Sequence, residues 1–493
     1  MTARVRNLVL LGRDAPLWLA ASVLQAALQP AGVAVTAVEL PSLLHGSDVY
    51  ATLPGIEALH TRLRLDEAGL LRATGGAFSL GQNFVDLLGG TAPFLNAYGA
   101  YGTPIEGHDF FPYWLKARGL GLAVALENFS LTGVAARQGR VMIPDEASEI
   151  YGRADYGYHL PAIAYAAGLK SVAARIGVAM RAANHIAIER DDDGDIAALI
   201  ADGERIAGDL FVDATGSDAA LIGKTLGVAQ DSWRAHFPAD RVFAACAQPF
   251  ATIPTYAELR AWQPGWAALY PTQAATYVTH AFSSAQTEPE DALGRLGAAT
   301  GLAVGDAVLR SSDPGRRTQA WAHNCVAIGT AACALDPIHN LDLHAVQLGL
   351  IALLAYFPTG RDAAPSRDEY NRLMRSSFER LRDYQTAFYM LAPYPGLFWD
   401  TGRAAPPPPE LAHIVATFRA RGEVPPMEDD SIPTDNWRAL LIGLGVTPES
   451  YPPRIDATAP DTVKAQFRTM LGFVKDAVLR QPTHALALGT ADG

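Results

Sequence analysis

Apolar residues along this chain fall into runs whose length and spacing predict the elements. Residues 5–11 form a short apolar stretch of strand length, and residues 33–39 are apolar and β-branched. Between them, residues 16–29 are rich in Ala and Leu, with Pro16 suited to a first helical turn. Strand, helix and strand together make an N-terminal βαβ unit. A second β-rich section spans 171–216, where Asp191–Gly194 and Asp202–Gly203 supply turns. It closes on the run Asp209–Gly216, a buried strand leading into a glycine turn. Residues 240–282, rich in aromatics and Thr, predict strands of a second layer, and 343–357 and 366–393 carry helical spacing. The prolines at 406–409 form a stiff linker ahead of a helical C-terminal part. There is no internal repeat.

Composition narrows the classes open to such a chain. Its 493 residues suffice for a large core, and 49% hydrophobic with 18% charged residues is ordinary for a globular protein. A formal net charge of −12 argues against nucleic acid or an anionic membrane surface as partner. The three cysteines, Cys246, Cys325 and Cys333, form no C-x-x-C pair and suit a reducing compartment. Asp14 and Pro16 interrupt the first apolar stretch, which fits strand–helix–strand better than a leader. No long run of apolar residues free of charge predicts a membrane span, so a cytoplasmic protein is expected.

The turn after the first strand is where a dinucleotide-binding protein carries its glycines. One makes the turn, one admits the pyrophosphate and one packs the helix on the sheet. Here the turn reads Gly12-Arg13-Asp14-Ala15-Pro16-Leu17. Only the first glycine is kept, Asp14 stands at the second, and Pro16 lacks a backbone donor. Arg13 is a phosphate-binding side chain that offsets part of this change. Glu39, ending the second strand, is placed to bind a ribose hydroxyl, although a strand-end Glu is equally at home in a purely structural role.

The most informative stretch is Trp321–His344, which contains Trp321, Asn324, Cys325, Gly329, Asp336, Pro337 and His344 at the spacing W..N-C-V-A-I-G-x-A-x-G-F-x-E/D-P-L-E-S-T-x-I-H. It resembles the flavin-dependent tryptophan halogenases. Further matches lie in order along the chain. Val5–Trp18 resembles the flavin loop. Ala51–Pro54 resembles the end of G-V-G-E-A-T-I-P, with Val49 and Tyr50 in place of Gly and Glu. Phe111–Leu115 resembles F-h-x-Y-W-L. Tyr158-His159 resembles Y-x-Y-H-F-D-A, with Pro161 at the Asp. Asp209–Gly216 resembles D-L-F-I-D-C-S-G, and Pro238–Arg241 resembles P-x-D-R. The resemblance covers roughly residues 5–450.

It implies an α/β fold with a FAD/NAD(P)-binding flavoprotein-type core, an antiparallel substrate layer and a helical C-terminal part. The core is expected over 1–395, with nucleotide-binding and substrate layers interleaved in sequence. The linker and helices of 396–493 are expected to pack on it. In such halogenases reduced FAD and oxygen turn halide into hypohalous acid, which travels to a Lys beside the aromatic substrate, and a nearby Glu assists. A flavin reductase supplies the reduced cofactor.

The same alignment of motifs shows what has changed. The Lys of T-F-K-L-G falls on Ser79 in Ala77–Gly81, with Phe78 beside it. The Glu falls on His339, and the Ser-Thr that follows it falls on Asn340-Leu341. In W-x-W-x-I-P, Trp266 and Pro271 are kept and the second Trp is Ala268. FAD would be held by Gly12, Arg13, Glu39, Gly329 and Asp336, and an aromatic substrate by Phe78, Trp114 and Trp266.

Two readings follow. In the first, this is a divergent family member with impaired or lost halogenation that serves as a binding or partner protein, as a homodimer or with another protein. In the second, it is an active FAD-dependent halogenase or monooxygenase acting on an indole-type substrate. A third, a hydrolase using Ser79, His339 and Asp342, stands behind both. His323, His339 and His344 match no zinc-ligand spacing, so no metal is expected. Trp114, Trp266, Cys325 and Cys333 also suit plain core packing.

Overall fold

The computed structural model describes residues 5–142, 155–359 and 363–490. Contacts divide the chain into two compact units, each assembled from three separate segments. Unit one comprises Met1–Gly76, Leu160–Ala235 and Ser312–Arg382; unit two comprises Ala77–His159, His236–Ser311 and Asp383–Gly493.

Unit one is built on a six-stranded sheet. Its spatial order is Trp321–Ala322, Cys325–Ala327, Leu210–Ala214, Asn7–Gly12, Ala34–Glu39 and Ala179–Ala182. All neighbours are parallel except the first pair. The first strand is central, and every residue from Leu8 to Gly12 is buried, as expected where both faces are covered. In register, Gly12 lies between Glu39 and Ala214. A Cβ at Gly12 would stand 2.5 Å from the Ala214 carbonyl oxygen, so only glycine fits there. The helix Asp14–Leu28 begins two residues before the expected start and places Pro16 within its first turn. Its apolar residues run round the whole helix, and it packs against helices Ala162–Arg175 and Asp342–Ala355.

The expected β-rich section opens on a helix instead. Ala162–Arg175 is amphipathic enough to be helical, and strands begin only at Ala179. The turns at Asp191–Gly194 and Asp202–Gly203 do separate strands Ile186–Arg190, Ile196–Ala201 and Glu204–Ala207.

Unit two holds a seven-stranded sheet in the order Gly305–Ser311, Arg241–Ala247, Thr276–Phe282, Gly265–Pro271, Ala257–Trp262, Gly81–Asp86 and Phe94–Ala97. It is antiparallel apart from the Ala257–Trp262 and Gly81–Asp86 pair. Strand Gly265–Pro271 is buried along its whole length. Trp266 is fully enclosed, and its indole N–H donates to the Tyr389 hydroxyl at 2.9 Å. The C-terminal part is helical, through Leu397–Ala404, Pro409–Arg421, Thr434–Gly443 and Pro460–Leu479. Pro406–Pro408 bridge the first two of these helices. Among the described residues no helix is long and apolar enough to cross a membrane.

Trp266 combines full burial with a satisfied indole donor, so truncation leaves a large cavity and removes the indole N–H from the Tyr389 hydroxyl. Trp266→Ala should lower the unfolding free energy by about 3–5 kcal/mol. Urea denaturation of the variant beside the parent checks this.

Candidate functional site

The turn after the first strand keeps a glycine-type path without its glycine. Asp14 adopts φ 59°, a left-handed conformation that costs a non-glycine residue and that short polar side chains tolerate best. Its carboxylate accepts from the Ser42 hydroxyl at 2.6 Å and from the Leu43 N–H at 3.4 Å. Arg13, the residue before it, is extended and mostly enclosed. Its guanidinium donates to Asp218 at 2.7 Å and to the Thr215 carbonyl at 3.0 Å. That pairing, with help from Lys224, holds the Asp218 carboxyl below the usual carboxylate range. The turn at Thr215 is in turn fixed by buried Asp213, which accepts from the backbone of Thr215, Leu221 and Ile222. Leu17, at the third glycine position, is fully buried. Glu39 forms an ion pair with Lys170 at 2.6 Å, and the same ammonium lies over the Trp18 ring.

The second loop of unit one runs from Gly329 to Asp342. Gly329 has φ 56°, and a Cβ there would come within 2.9 Å of Val346 and 3.9 Å of Pro16, which places this loop against the start of the first helix. Asp336 caps the short turn Pro337–His339 by accepting from the Ile338 N–H at 3.0 Å. Within that turn His339 is half-buried, and the protein packed about its ring pushes its pKa down to about 3, so it is neutral at physiological pH. Asn340, at φ 49°, ties the loop to residues 49–51 by donating to the Val49 carbonyl and accepting from the Ala51 N–H. Asp342 is the first residue of the next helix. Much of its surface is open, yet the protein around it pushes its carboxyl up to about 6, so it is mostly ionised at neutral pH.

Tyr50 joins the two loops electrostatically. Its hydroxyl is pushed well above the usual range first by desolvation and then by the charges of Asp14, Asp342 and Asp48. The charges of Asp14, Asp342 and Asp48 are therefore all felt at one phenol, Tyr50.

In unit two, strand Ala77–Ser79 pairs antiparallel with residues 157–159, setting Ala77 opposite His159 and Ser79 opposite Gly157. Ser79 is buried, with its hydroxyl 3.5 Å from the Gly81 carbonyl and hydrogen-bonded to Tyr98. Burial pushes the Tyr98 phenol up to about 12, so it stays protonated. Phe78 points to the opposite face, among Tyr156, Tyr158 and His484. Trp114 donates to the Val124 carbonyl at 3.1 Å and carries Arg118 over its ring. It lines a half-open cavity of about 420 Å³ together with Phe94, Leu95, Tyr101 and Leu122. Trp266 lies in the sheet core as described, and Ala268 two residues on is fully buried as well.

Sequence reasoning missed a buried amide network beside this strand. The Asn96 amide donates to the Tyr384 hydroxyl at 2.7 Å, and Asn436 donates to the Asn96 carbonyl oxygen at 2.8 Å and to the Ala97 carbonyl at 3.0 Å. Asparagines inside the apolar runs at 94–97 and 436–441 were the available signal. Ser79 and His339 belong to different units, as do Ser79 and Asp342. His323 bonds Asp195 at 3.1 Å on an exposed turn. Among the described residues no group of three or more His, Cys, Asp or Glu is arranged to hold a metal ion.

A parallel nucleotide-type sheet, an antiparallel substrate-type sheet and the motif loops attached to each define a flavoprotein halogenase architecture, and the chain belongs to the tryptophan halogenase family, whose sequence model matches residues 7–460. The chain is 30% identical to BrvH, a flavin-dependent halogenase from Brevundimonas sp. BAL3, with a TM-score of 0.93 over 99% of this chain and 100% of that one. It is 29% identical to Xcc4156, a flavin-dependent halogenase from Xanthomonas campestris, at the same TM-score over 99% and 98%. The tryptophan 7-halogenase KtzQ of Kutzneria sp. is 25% identical across 97% of both chains. Such halogenases use FAD, an aromatic substrate and a separate flavin reductase.

His159 gives this site a pH signature. Its Nδ1 bonds the Pro271 carbonyl at 3.0 Å, and complete burial lowers its pKa from 6.5 to about 4. A histidine depressed in the folded state contributes stability that is complete above pH 6.5 and is lost as pH falls toward 4. Unfolding midpoints measured from pH 7.5 to 4 should fall through this window, and His159→Gln should flatten part of the slope.

Proposed function

We propose that this chain is a flavin-halogenase-family protein in which halogen transfer is impaired or lost, and that it acts by binding an aromatic small molecule or a protein partner. Ser79 is the observation that carries the reading. It stands at the family Lys position, buried and already engaged with Tyr98 and the Gly81 carbonyl. A hydroxyl holds no halogen as an amine does and brings no positive charge to a hypohalous acid. At the Glu position His339 is neutral, so it offers no carboxylate to stabilise positive charge on an attacked ring.

The family implies FAD, whose chemistry when bound would be the oxidation of halide. Gly12, Arg13, Glu39, Gly329 and Asp336 are the residues that would hold it. Their chemistry does not suit its pyrophosphate: Arg13 and Glu39 are committed to Asp218 and Lys170, and Asp14 and Asp342 bring negative charge to the two helix starts. No step of this proposal therefore runs through the flavin. What the site residues still do is hold shape: Ser79 and Tyr98 fix the strand, and the Asn96–Asn436 pair keeps a polar wall beside it.

Close likeness to flavin-dependent halogenases favours the second reading, an active FAD-dependent halogenase or monooxygenase on an aromatic substrate. The assay that separates the two supplies FAD, a flavin reductase, NADH, bromide and a panel of indoles, and analyses products by mass. The proposal expects no brominated or oxygenated indole from the protein, and Ser79→Lys alone leaves the result unchanged because His339 remains. Enzyme-dependent product would establish the second reading.

A further inference from the structure

We infer that Asp14 sets the ligand selectivity of the first nucleotide turn, excluding the doubly charged pyrophosphate of a dinucleotide and keeping the helix start for the protein's own carboxylate. The inference rests on the proposed reading only in taking this turn as a former nucleotide cradle; it does not depend on whether halogen is transferred.

Four observations meet at this residue. The backbone at Asp14 has φ 59°, the conformation a glycine supplies, so the cradle's path survives while a side chain has been added to it. That side chain occupies the position whose emptiness lets a pyrophosphate approach the backbone. Its carboxylate is anchored by the Ser42 hydroxyl and the Leu43 N–H, so it is held in place beside the turn. As the first residue of a 15-residue helix, it also brings its own negative charge to the positive end of the helix dipole.

Among the described residues, the groups beside the turn are already engaged or carry the same sign of charge. Arg13 is tied to Asp218 and to the Thr215 carbonyl, Pro16 has no N–H to offer, and Asp48 and Asp342 add negative charge around Tyr50. The retained glycines tell the same story from the other side. Gly12 is required by the Ala214 carbonyl and Gly329 by Val346, so both are explained by packing without a nucleotide.

Two substitutions separate charge from shape. Asp14→Asn removes the charge and keeps a side chain that tolerates positive φ and can still bond Ser42. Asp14→Gly removes charge and bulk and relieves the left-handed strain, so it should fold at least as well as the parent. Calorimetric titration with FAD, and with riboflavin as a flavin lacking phosphates, reads the effect, while thermal melts confirm folding. The parent should bind FAD no better than riboflavin. Asp14→Asn should tighten FAD by about tenfold, and Asp14→Gly by more, with riboflavin unchanged in both. Micromolar FAD binding by the parent would overturn the inference. So would folded variants whose FAD affinity does not change, or a gain shared equally by riboflavin. Tight FAD binding by Asp14→Gly without halogenated product leaves the proposed function standing, whereas product from the parent would sink that function whatever the titration gave.

Discussion

The close approach of Gly12 to the Ala214 carbonyl is the constraint on which unit one depends. It sets the register of the two central parallel strands, brings Glu39 level with the start of the turn, and fixes where the first helix begins. From that point the chain must turn through a left-handed residue, and the helix must enter beneath Gly329. A family architecture can therefore persist on packing grounds alone. Gly12 and Gly329 are held in place by packing, so the frame of the cradle does not depend on what it contains.

Electrostatics carries the proposed reading. An unoccupied helix start attracts anions, and a flavin cofactor exploits this through its pyrophosphate. Here the two helices that begin at the motif loops each open on an aspartate, Asp14 and Asp342, and Asp48 joins them around Tyr50. In unit two the proposed reading sets a buried neutral hydroxyl, Ser79, where the family motif has a cationic amine. Both alterations are affordable to the fold, because Asp14 and Ser79 each find hydrogen-bond partners where they stand. The result is a scaffold whose polar groups serve one another.

Much of this architecture was readable in the sequence. The strand–helix–strand start, the run ending at Gly216 and the frame of Trp321–His344 are local patterns, set by apolar periodicity and by glycines with fixed tasks. The elements that escaped depend on partners far along the chain. Asn96 is explained only by Asn436 and Tyr384, and Trp266 only by Tyr389. The end of the helix Ala162–Arg175 runs into the stretch from 171 read as β-rich, because its apolar positions serve the first helix. Nor does any residue pattern give the sign of φ: Asp14 looked like a simple loss of glycine, and its left-handed backbone shows that the turn itself was retained.

Halide oxidation can be measured apart from any substrate. Reduced FAD, oxygen and bromide would be mixed with the purified protein in the presence of monochlorodimedone, whose absorbance falls as it captures hypobromous acid. The account predicts a loss of absorbance no faster than in the same mixture without protein. A protein-dependent rate above that control would contradict it and show that the flavin chemistry survives in this chain.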